Sequence, residues 1–257
     1  MSDIRVIALR GMPLFDASSD IAAEVIAAVH RGGEALQPGD VVVLAQKIVS
    51  KNEGRLVASG SVAPRDEARR IAGETGREAG LVELILQESS ELLRTTPAAI
   101  IARHRTGHVL ANAGIDASNV EGGDSGTVLL WPQDPDASAR RVRADIAERS
   151  GVRPAVVIAD SMGRAWRIGT VGTAIGCAGL TVVEDMRGTG QDLFGRVLQA
   201  TQIAIADSVA ALATVAMGEG NEGTPAALVR GVGAWVTDED GEGAASGLRP
   251  VSQDMFR

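Results

Sequence analysis

Residues 41–45, VVVLA, constrain the fold more than any other stretch of this chain. A strand with one wet face alternates apolar and polar side chains; this one offers apolar groups to both faces, so it belongs in the middle of a sheet with layers on either side. A second short run, residues 156–159 (VVIA), has the same character. Both stop at chemistry. The first leads directly into Gln46 and Lys47, with Lys51 one helical turn further on, and the second ends abruptly at Asp160 and Ser161. Open sheets place ligand groups beyond strand ends, so these two exits are the first places to look for a site.

The rest of the chain supplies strands and helices around them. Residues 4–9 read as a first strand running into Gly11, Met12, Pro13 and Leu14, a turn whose backbone amides are free to face a ligand. Ser18, Ser19 and Asp20 offer N-caps for a helix reaching about Ala35. Residues 64–90 are helical and strongly charged, and read as scaffold. Short strands are expected at 95–101 and 108–111, with a hairpin across 103–107, and another at 128–131 ahead of a capped helix at 137–150. After Ser161 the pattern predicts a polar, glycine-spaced loop carrying Arg164, Trp166 and Arg167, before an apolar run at 173–180. Residues 193–217 predict one long helix, interrupted at Gly195, whose alanines permit close packing. Residues 226–229 predict a strand. The acidic, glycine-rich 238–247 reads as a mobile tail, and 248–256 as a segment that docks. No repeat and no linker divides residues 1–257, which read as a single domain.

Composition narrows the function classes. A net charge of −8 and a pI near 5.0 argue against a sequence-independent nucleic-acid binder, and 2% aromatic residues with no Tyr leave little for base stacking. The single Cys177 cannot form an internal disulfide and reads as a small buried thiol. No signal peptide and no membrane-length apolar run is visible, so a soluble cytoplasmic protein is expected, with neither nucleic acid nor membrane as a partner.

Two further loops join the lysines and Asp160. Residues 112–119, NAGIDASN, are rich in side-chain oxygens, and Asp116 and Asp160 would both lie just beyond strand ends, where two carboxylates can share a hard divalent cation. A plain loop, or a surface turn capped by Asp160, explains the same residue types. Residues 218–223, GEGNEG, satisfy G-x-G-x-x-G, but a helix precedes them and a strand follows, the reverse of a dinucleotide fingerprint. Such a loop still approaches phosphate oxygens through its amides, and Glu219 or Glu222 can add a metal ligand. No P-loop is present. His30, His104 and His108 show no metal-ligand spacing and read as bystanders. Carboxylates for a cation, lysines and glycine amides for phosphates, and arginines for an anionic substrate suit phosphoryl transfer.

At this point a family resemblance emerges. Residues 39–55 (GDVVVLAQKIVSKNEGR), 111–120 (ANAGIDASNV), 160–167 (DSMGRAWR), 192–196 (DLFGR), and 217–219 (MGE) through 230–231 (RG) resemble the coenzyme F420-0:L-glutamate ligase family, in collinear order over nearly the whole chain. The resemblance implies a stand-alone ligase module, without the C-terminal nitroreductase-like domain fused in some actinobacterial members. It implies an α+β fold, mixed α/β in two lobes with neither P-loop nor Rossmann motif, and a homodimer. It further implies a GTP-dependent enzyme that activates a carboxylate of F420-0 as an acyl phosphate, forms an amide with L-glutamate, then adds γ-linked glutamates, with magnesium or manganese, and potassium as a further ion.

Carried over by position, Asp116, Asp160, Ser161 and Glu219 match the divalent-metal positions. Gly11, Met12, Pro13, Leu14, Gln46, Lys47, Lys51, Asn119, Met217, Gly218, Glu219, Gly220, Asn221, Glu222, Gly223 and Thr224 match the nucleotide-binding ones. Asp116, Asp160 and Lys47 are then the expected catalytic groups, with Arg164 and Arg167 assigned to a substrate phosphate or carboxylate. Ser161 stands where Thr is common, and Glu219 where some members have Gln. Competing readings are an acyl-phosphate ligase acting on another carboxylate, a metal-dependent phosphohydrolase, and, from another class, a non-catalytic nucleotide-binding regulator.

Overall fold

Val41, Val42, Val43 and Leu44 have no solvent exposure in the computed structural model, which describes residues 3–254. In chain order the elements are β1 (Arg5–Ala8), α1 (Ile21–Arg31), β2 (Val41–Ala45), α2 (Gln46–Asn52), β3 (Leu56–Ala58), α3 (Asp66–Thr75), α4 (Ala79–Glu88), β4 (Ser89–Thr95), β5 (Ile100–His104), β6 (Val109–Ala111), β7 (Thr127–Leu129), α5 (Pro135–Ser150), β8 (Ala155–Arg164), β9 (Arg167–Ala178), β10 (Val183–Asp185), β11 (Gln202–Ala204), α6 (Ile205–Met217) and β12 (Ala226–Arg230). The fold is α+β, as expected.

The main sheet has the order β1-β12-β2-β8-β9, with β2 at its centre. Only β2 and β8 run parallel, in a register that pairs Val41 with Ala155 and Ala45 with Ala159. Alternate side chains then feed two separate cores. Val42, Leu44, Val156 and Ile158 pack with Val25 and Val29 of α1 and Val142 and Ile146 of α5 on one face. Val41, Val43 and Val157 pack with Val209, Ala210 and Ala213 of α6 on the other. Small residues let α6 lie close: a Cβ placed on Gly172 of β9 would stand 2.6 Å from the Ala210 carbonyl oxygen. Helix α1 opens on Asp20, one of the caps expected, which accepts from the Ala23 amide at 3.0 Å; α5 starts two residues before the expected 137, capped by Asp134, which accepts from the Ala137 amide at 2.9 Å.

Residues 56–130 build a third core around Ile71, Val82, Ile85, Ile100, Val128 and Leu130, with β4, β5 and β6 as one sheet and β3 and β7 as a ribbon. The charged segment is two helices, separated at Gly76 with φ +70°. The hairpin expected across 103–107 joins β5 to β6. Residues 96–99, expected inside a strand, form the turn between β4 and β5, where Thr96 and Ala99 exchange hydrogen bonds.

Three expectations are corrected. β8 does not end at Ala159: it continues to Arg164 and returns as β9, with Asp160 facing Thr173 and Ser161 facing Gly172, past a bulge at Ile158. The polar stretch is a two-stranded ribbon extending beyond the core, so its strands need no apolar face, and Trp166 turns the corner at φ +62°. The long helix begins only at Ile205. Before it, Asp192 Oδ1 accepts the amides of Phe194 and Arg196 at 2.9 Å, a side-chain turn that competes with helix, and β11 pairs with β10. The 238–247 segment is tied down by Arg143, which is 1% exposed and donates to the Asp238 carbonyl and the Asp240 carboxylate at 3.1 and 2.6 Å, as well as to the Thr237 carbonyl. Docking expected as far as Phe256 extends outside the described residues. No helix among those described is long and apolar enough to cross a membrane.

Candidate functional site

The sheet register collects four chain segments at one edge. Ala45 ends β2 beside Ala159 of β8, so Gln46 and Asp160 leave the core at the same level. The Ala45 amide donates to the Pro225 carbonyl at 2.8 Å and that of Leu9 to the Ala226 carbonyl at 2.9 Å. The exit of β1, the entry to β12, the start of α2 and the polar half of β8 therefore lie together.

Lys47, in the first turn of α2, reaches across to Asp116 and hydrogen-bonds its Oδ2. Asp116 is held in place by its backbone, which exchanges hydrogen bonds with Leu129 at 3.2 and 2.8 Å. The approach is tightly turned: Asn112, Ala113 and Gly114 have φ +52°, +52° and +74°. Two consecutive non-glycine residues in the left-handed region are costly and point to a segment specified by its surroundings. Ser118 completes the grip, its amide on Oδ1 at 2.8 Å and its hydroxyl on Oδ2 at 2.6 Å. Desolvation works to raise the Asp116 pKa, but the bonds from Lys47 and Ser118 and the Lys47 charge hold it below the usual carboxylate value.

Asp160 behaves oppositely. Desolvation raises its pKa and the Asp116 charge adds to the rise, against the lowering influence of Lys47, the Trp131 indole and the Ser161 amide. Trp131 Nε1 donates to Oδ2 at 2.8 Å and the Ser161 amide to Oδ1 at 2.8 Å. The Ser161 hydroxyl donates to Glu219 Oε1. Glu219 follows Gly218, which ends α6 with φ +81°. Asn119 joins the two loops, donating from Nδ2 to the Gly220 carbonyl at 3.0 Å, while Lys51 donates to the Asn119 carbonyl at 2.7 Å. Desolvation and neighbouring Lys47 lower the Lys51 pKa, with Glu121 opposing them.

Of the residues singled out from sequence, eight thus gather in three hydrogen-bonded groups, Lys47 with Asp116, Lys51 with Asn119 and Gly220, and Asp160 with Ser161 and Glu219, the last two groups joined where Glu219 meets Gly220 in the chain. Others have different positions. Gln46 is buried and turns inward to the Ser50 hydroxyl at 2.6 Å. Glu222 folds back on its own loop, accepting the Gly220 amide at 2.7 Å. Met217 is buried in the core under α6, and Thr224 is buried with its hydroxyl on the Glu222 carbonyl at 3.3 Å. Asn221 and Gly223 lie on the exposed part of the loop. Gly11, Met12, Pro13 and Leu14 follow β1 at the same sheet edge, Leu14 being exposed, and no hydrogen bond among the described residues ties them to the cluster. Arg164 and Arg167 are exposed at the end of the ribbon and have no ion pair among the described residues.

Among the described residues no three acidic, histidine or cysteine side chains stand ready as a metal cage. Asp116 is engaged by Lys47 and Ser118, and Glu219 by Ser161. The donor set is nevertheless all oxygen, the type that suits a hard divalent cation. Cys177 is 1% exposed, and burial pushes its thiol up to about 12, an inert group.

Trp131, His104 and His108 were not legible as part of this region. The histidines are buried, with ring centroids 4.8 and 5.5 Å from that of Trp131. The one signal was a tryptophan closing the apolar run of residues 128–131 in a chain with so few aromatics.

A family model described as F420-0:Gamma-glutamyl ligase matches residues 11–231. The coenzyme F420:L-glutamate ligase of Methanothermobacter thermautotrophicus is 44% identical over 254 residues, covering 99% of each chain. The proteins of the same name from Methanocaldococcus jannaschii and Archaeoglobus fulgidus are 37% and 38% identical, covering 99% of this chain and 97% and 96% of theirs. The chain is therefore an enzyme, a ligase with an α+β fold. It belongs to the F420-0:gamma-glutamyl ligase family.

Proposed function

We propose that this ligase joins L-glutamate to F420-0 at the expense of GTP, and then extends the product with γ-linked glutamates. A carboxylate oxygen of F420-0 attacks the γ-phosphorus of GTP and GDP leaves; the glutamate amine then attacks the acyl carbon of the acyl phosphate and inorganic phosphate leaves. Activation is needed because a carboxylate is a poor electrophile. The observation that carries the reading is the convergence of the Lys47–Asp116 pair, the Ser161–Glu219 pair and the Asn119–Gly220 link at one sheet edge, from loops far apart in sequence.

Asp116, Asp160, Ser161 and Glu219 would hold magnesium or manganese, which when bound would neutralise phosphate charge. Lys47 balances the two aspartates and provides a point charge for phosphate, and Lys51 fixes the Asn119 turn. The amides of Asn221 and Gly223, on the exposed part of the loop, suit phosphate oxygens, and Gly11 to Leu14 a more distant part of the nucleotide. Potassium would be a further oxygen-bound ion. Arg164 and Arg167, with no acidic partner among the described residues, are suited to an anionic group of F420-0. The test is ligase turnover after Lys47→Met, Asp116→Asn and Asp160→Asn: each is expected to abolish product, and full activity in any would remove that residue from the site.

We also propose a homodimer. Trp166 and Ile168 on the ribbon, and Leu193 and Phe194 in the turn before β11, are exposed by 88%, 103%, 100% and 84%, apolar surface that a second copy would cover. Sedimentation of the intact protein should give twice the chain mass, and Ile168→Glu with Leu193→Glu should return it to the monomer.

A further inference from the structure

Trp131 is the largest side chain among those described that has no solvent exposure, and three different groups close around it. On one side stand His104, tilted at 4.8 Å, and His108, edge-on at 5.5 Å. The two are linked by Thr106, whose hydroxyl lies 2.9 Å from each Nδ1. His104 Nε2 is 3.4 Å from the Glu88 carboxylate, which Arg55 and Arg105 also hold, at 2.8 and 3.2 Å. On another side lies Gly114, where a Cβ would come within 2.4 Å of the indole nitrogen, so the backbone two residues before Asp116 rests directly on the ring. The third neighbour is Asp160, which accepts the Nε1–H at 2.8 Å.

One indole therefore backs the turn that presents Asp116 and at the same time orients Asp160. An indole nitrogen donates and never accepts, and an ionised carboxylate is the stronger acceptor, so the contact favours the charged form. With the Ser161 amide on Oδ1 and the indole on Oδ2, one donor on each oxygen fixes the carboxylate plane, and each oxygen keeps a second lone pair for the open side. Filling a core requires only bulk; a phenyl ring supplies that without the N–H.

We propose that Trp131 is a positioning residue of the ligase site, setting the Asp160 carboxylate and the Asp116 turn in mutual register through its N–H and its ring face. This rests on the reading of Asp160 as a group of the metal and phosphate site. Partners that orient a ligating carboxylate typically contribute tenfold to hundredfold in affinity or rate.

The test replaces Trp131 with Phe and, separately, with benzothienylalanine, which keeps the bicyclic shape and puts sulfur where the N–H was. Mn2+ binding is followed by electron paramagnetic resonance on the whole protein, beside ligase kinetics and the melting temperature. The benzothienyl variant is expected to melt within about 2 °C of the parent. Its Mn2+ affinity and kcat should each fall about tenfold or more, with KM for glutamate unchanged. Parental kcat and Mn2+ affinity in that variant would overturn the proposal, as would loss in the Phe variant alone, which would assign the effect to packing. Asp160→Asn is titrated alongside: if it binds Mn2+ as the parent does, the metal reading of the site fails on its own, and the kcat of the benzothienyl variant then decides the positioning role.

Discussion

Gly172→Ala isolates the link between helix packing and the site. Gly172 faces Ser161 across the β8–β9 ribbon, and a Cβ there points at α6, 2.2 Å from the Thr214 hydroxyl and 2.6 Å from the Ala210 carbonyl oxygen. Thr214 can rotate away, but a helix carbonyl cannot. Restoring an ordinary contact of about 3.4 Å requires α6 to retreat by roughly 0.8 Å. Overpacking of this kind costs about 1–3 kcal/mol, or roughly 2–12 °C in melting temperature for a chain of this size. The same retreat draws Gly218 and Glu219, at the end of α6, away from Ser161, and an ångström-scale misplacement can cost about a hundredfold in rate. Gly163→Ala on the same ribbon meets nothing within 4 Å and is the control, expected to change neither quantity. Thermal unfolding and steady-state ligase kinetics read both effects. If Gly172→Ala lowers the melting temperature while kcat stays parental, Glu219 is not positioned by the docking of α6; if neither moves, the close packing itself is refuted.

Further outcomes follow from other buried groups. Arg143→Leu, which takes a buried guanidinium from the partly exposed Asp240 and strips donors from the Pro154, Thr237 and Asp238 carbonyls, should destabilise the protein by about 1–3 kcal/mol for each carbonyl left buried and unpaired, and amide exchange in residues 237–247 should accelerate with it. Burial lowers the His108 pKa to about 4, so the folded state binds fewer protons than the unfolded chain; stability from this group is complete above about pH 6.5 and falls as pH drops toward 4, by on the order of 3 kcal/mol. Denaturant titrations should show that slope, and His108→Gln should flatten it. Although burial alone would raise Glu88, His104, Arg55 and Arg105 hold it at about 2, so a second loss should appear between about pH 4.5 and 2 and be absent in Glu88→Gln. Cys177 should remain unmodified by a thiol reagent at pH 8 until the protein is unfolded; rapid labelling of the native chain would contradict its burial.

Legibility in the sequence followed the range of the interactions. The apolar runs at 41–45 and 156–159 announced buried strands because both faces of each were apolar, and the residue types at their exits were those found in the cluster. Asp160 and Ser161 were recognised as a candidate site, but their backbone was not: a ribbon with polar side chains and glycines carries the composition of a loop, and only pairing across to Thr173 and Gly172 reveals a strand. The helix expected from residue 193 failed on a local competitor, the Asp192 carboxylate gathering nearby amides. The tail looked mobile because its anchor, Arg143, lies 95 residues upstream of Asp238, on α5. Trp131 was invisible for the same reason, since its role exists only once Gly114 and Asp160 are brought to it.

The central claim is that the converging loops drive amide formation with GTP. Purified protein incubated with GTP, Mn2+, L-glutamate and F420-0 should yield F420 species heavier by one glutamate residue and then by further γ-linked ones. GDP and phosphate should appear in equal amount with each amide formed. GTP consumed without a heavier product, or product formed equally well without a nucleoside triphosphate, would contradict it.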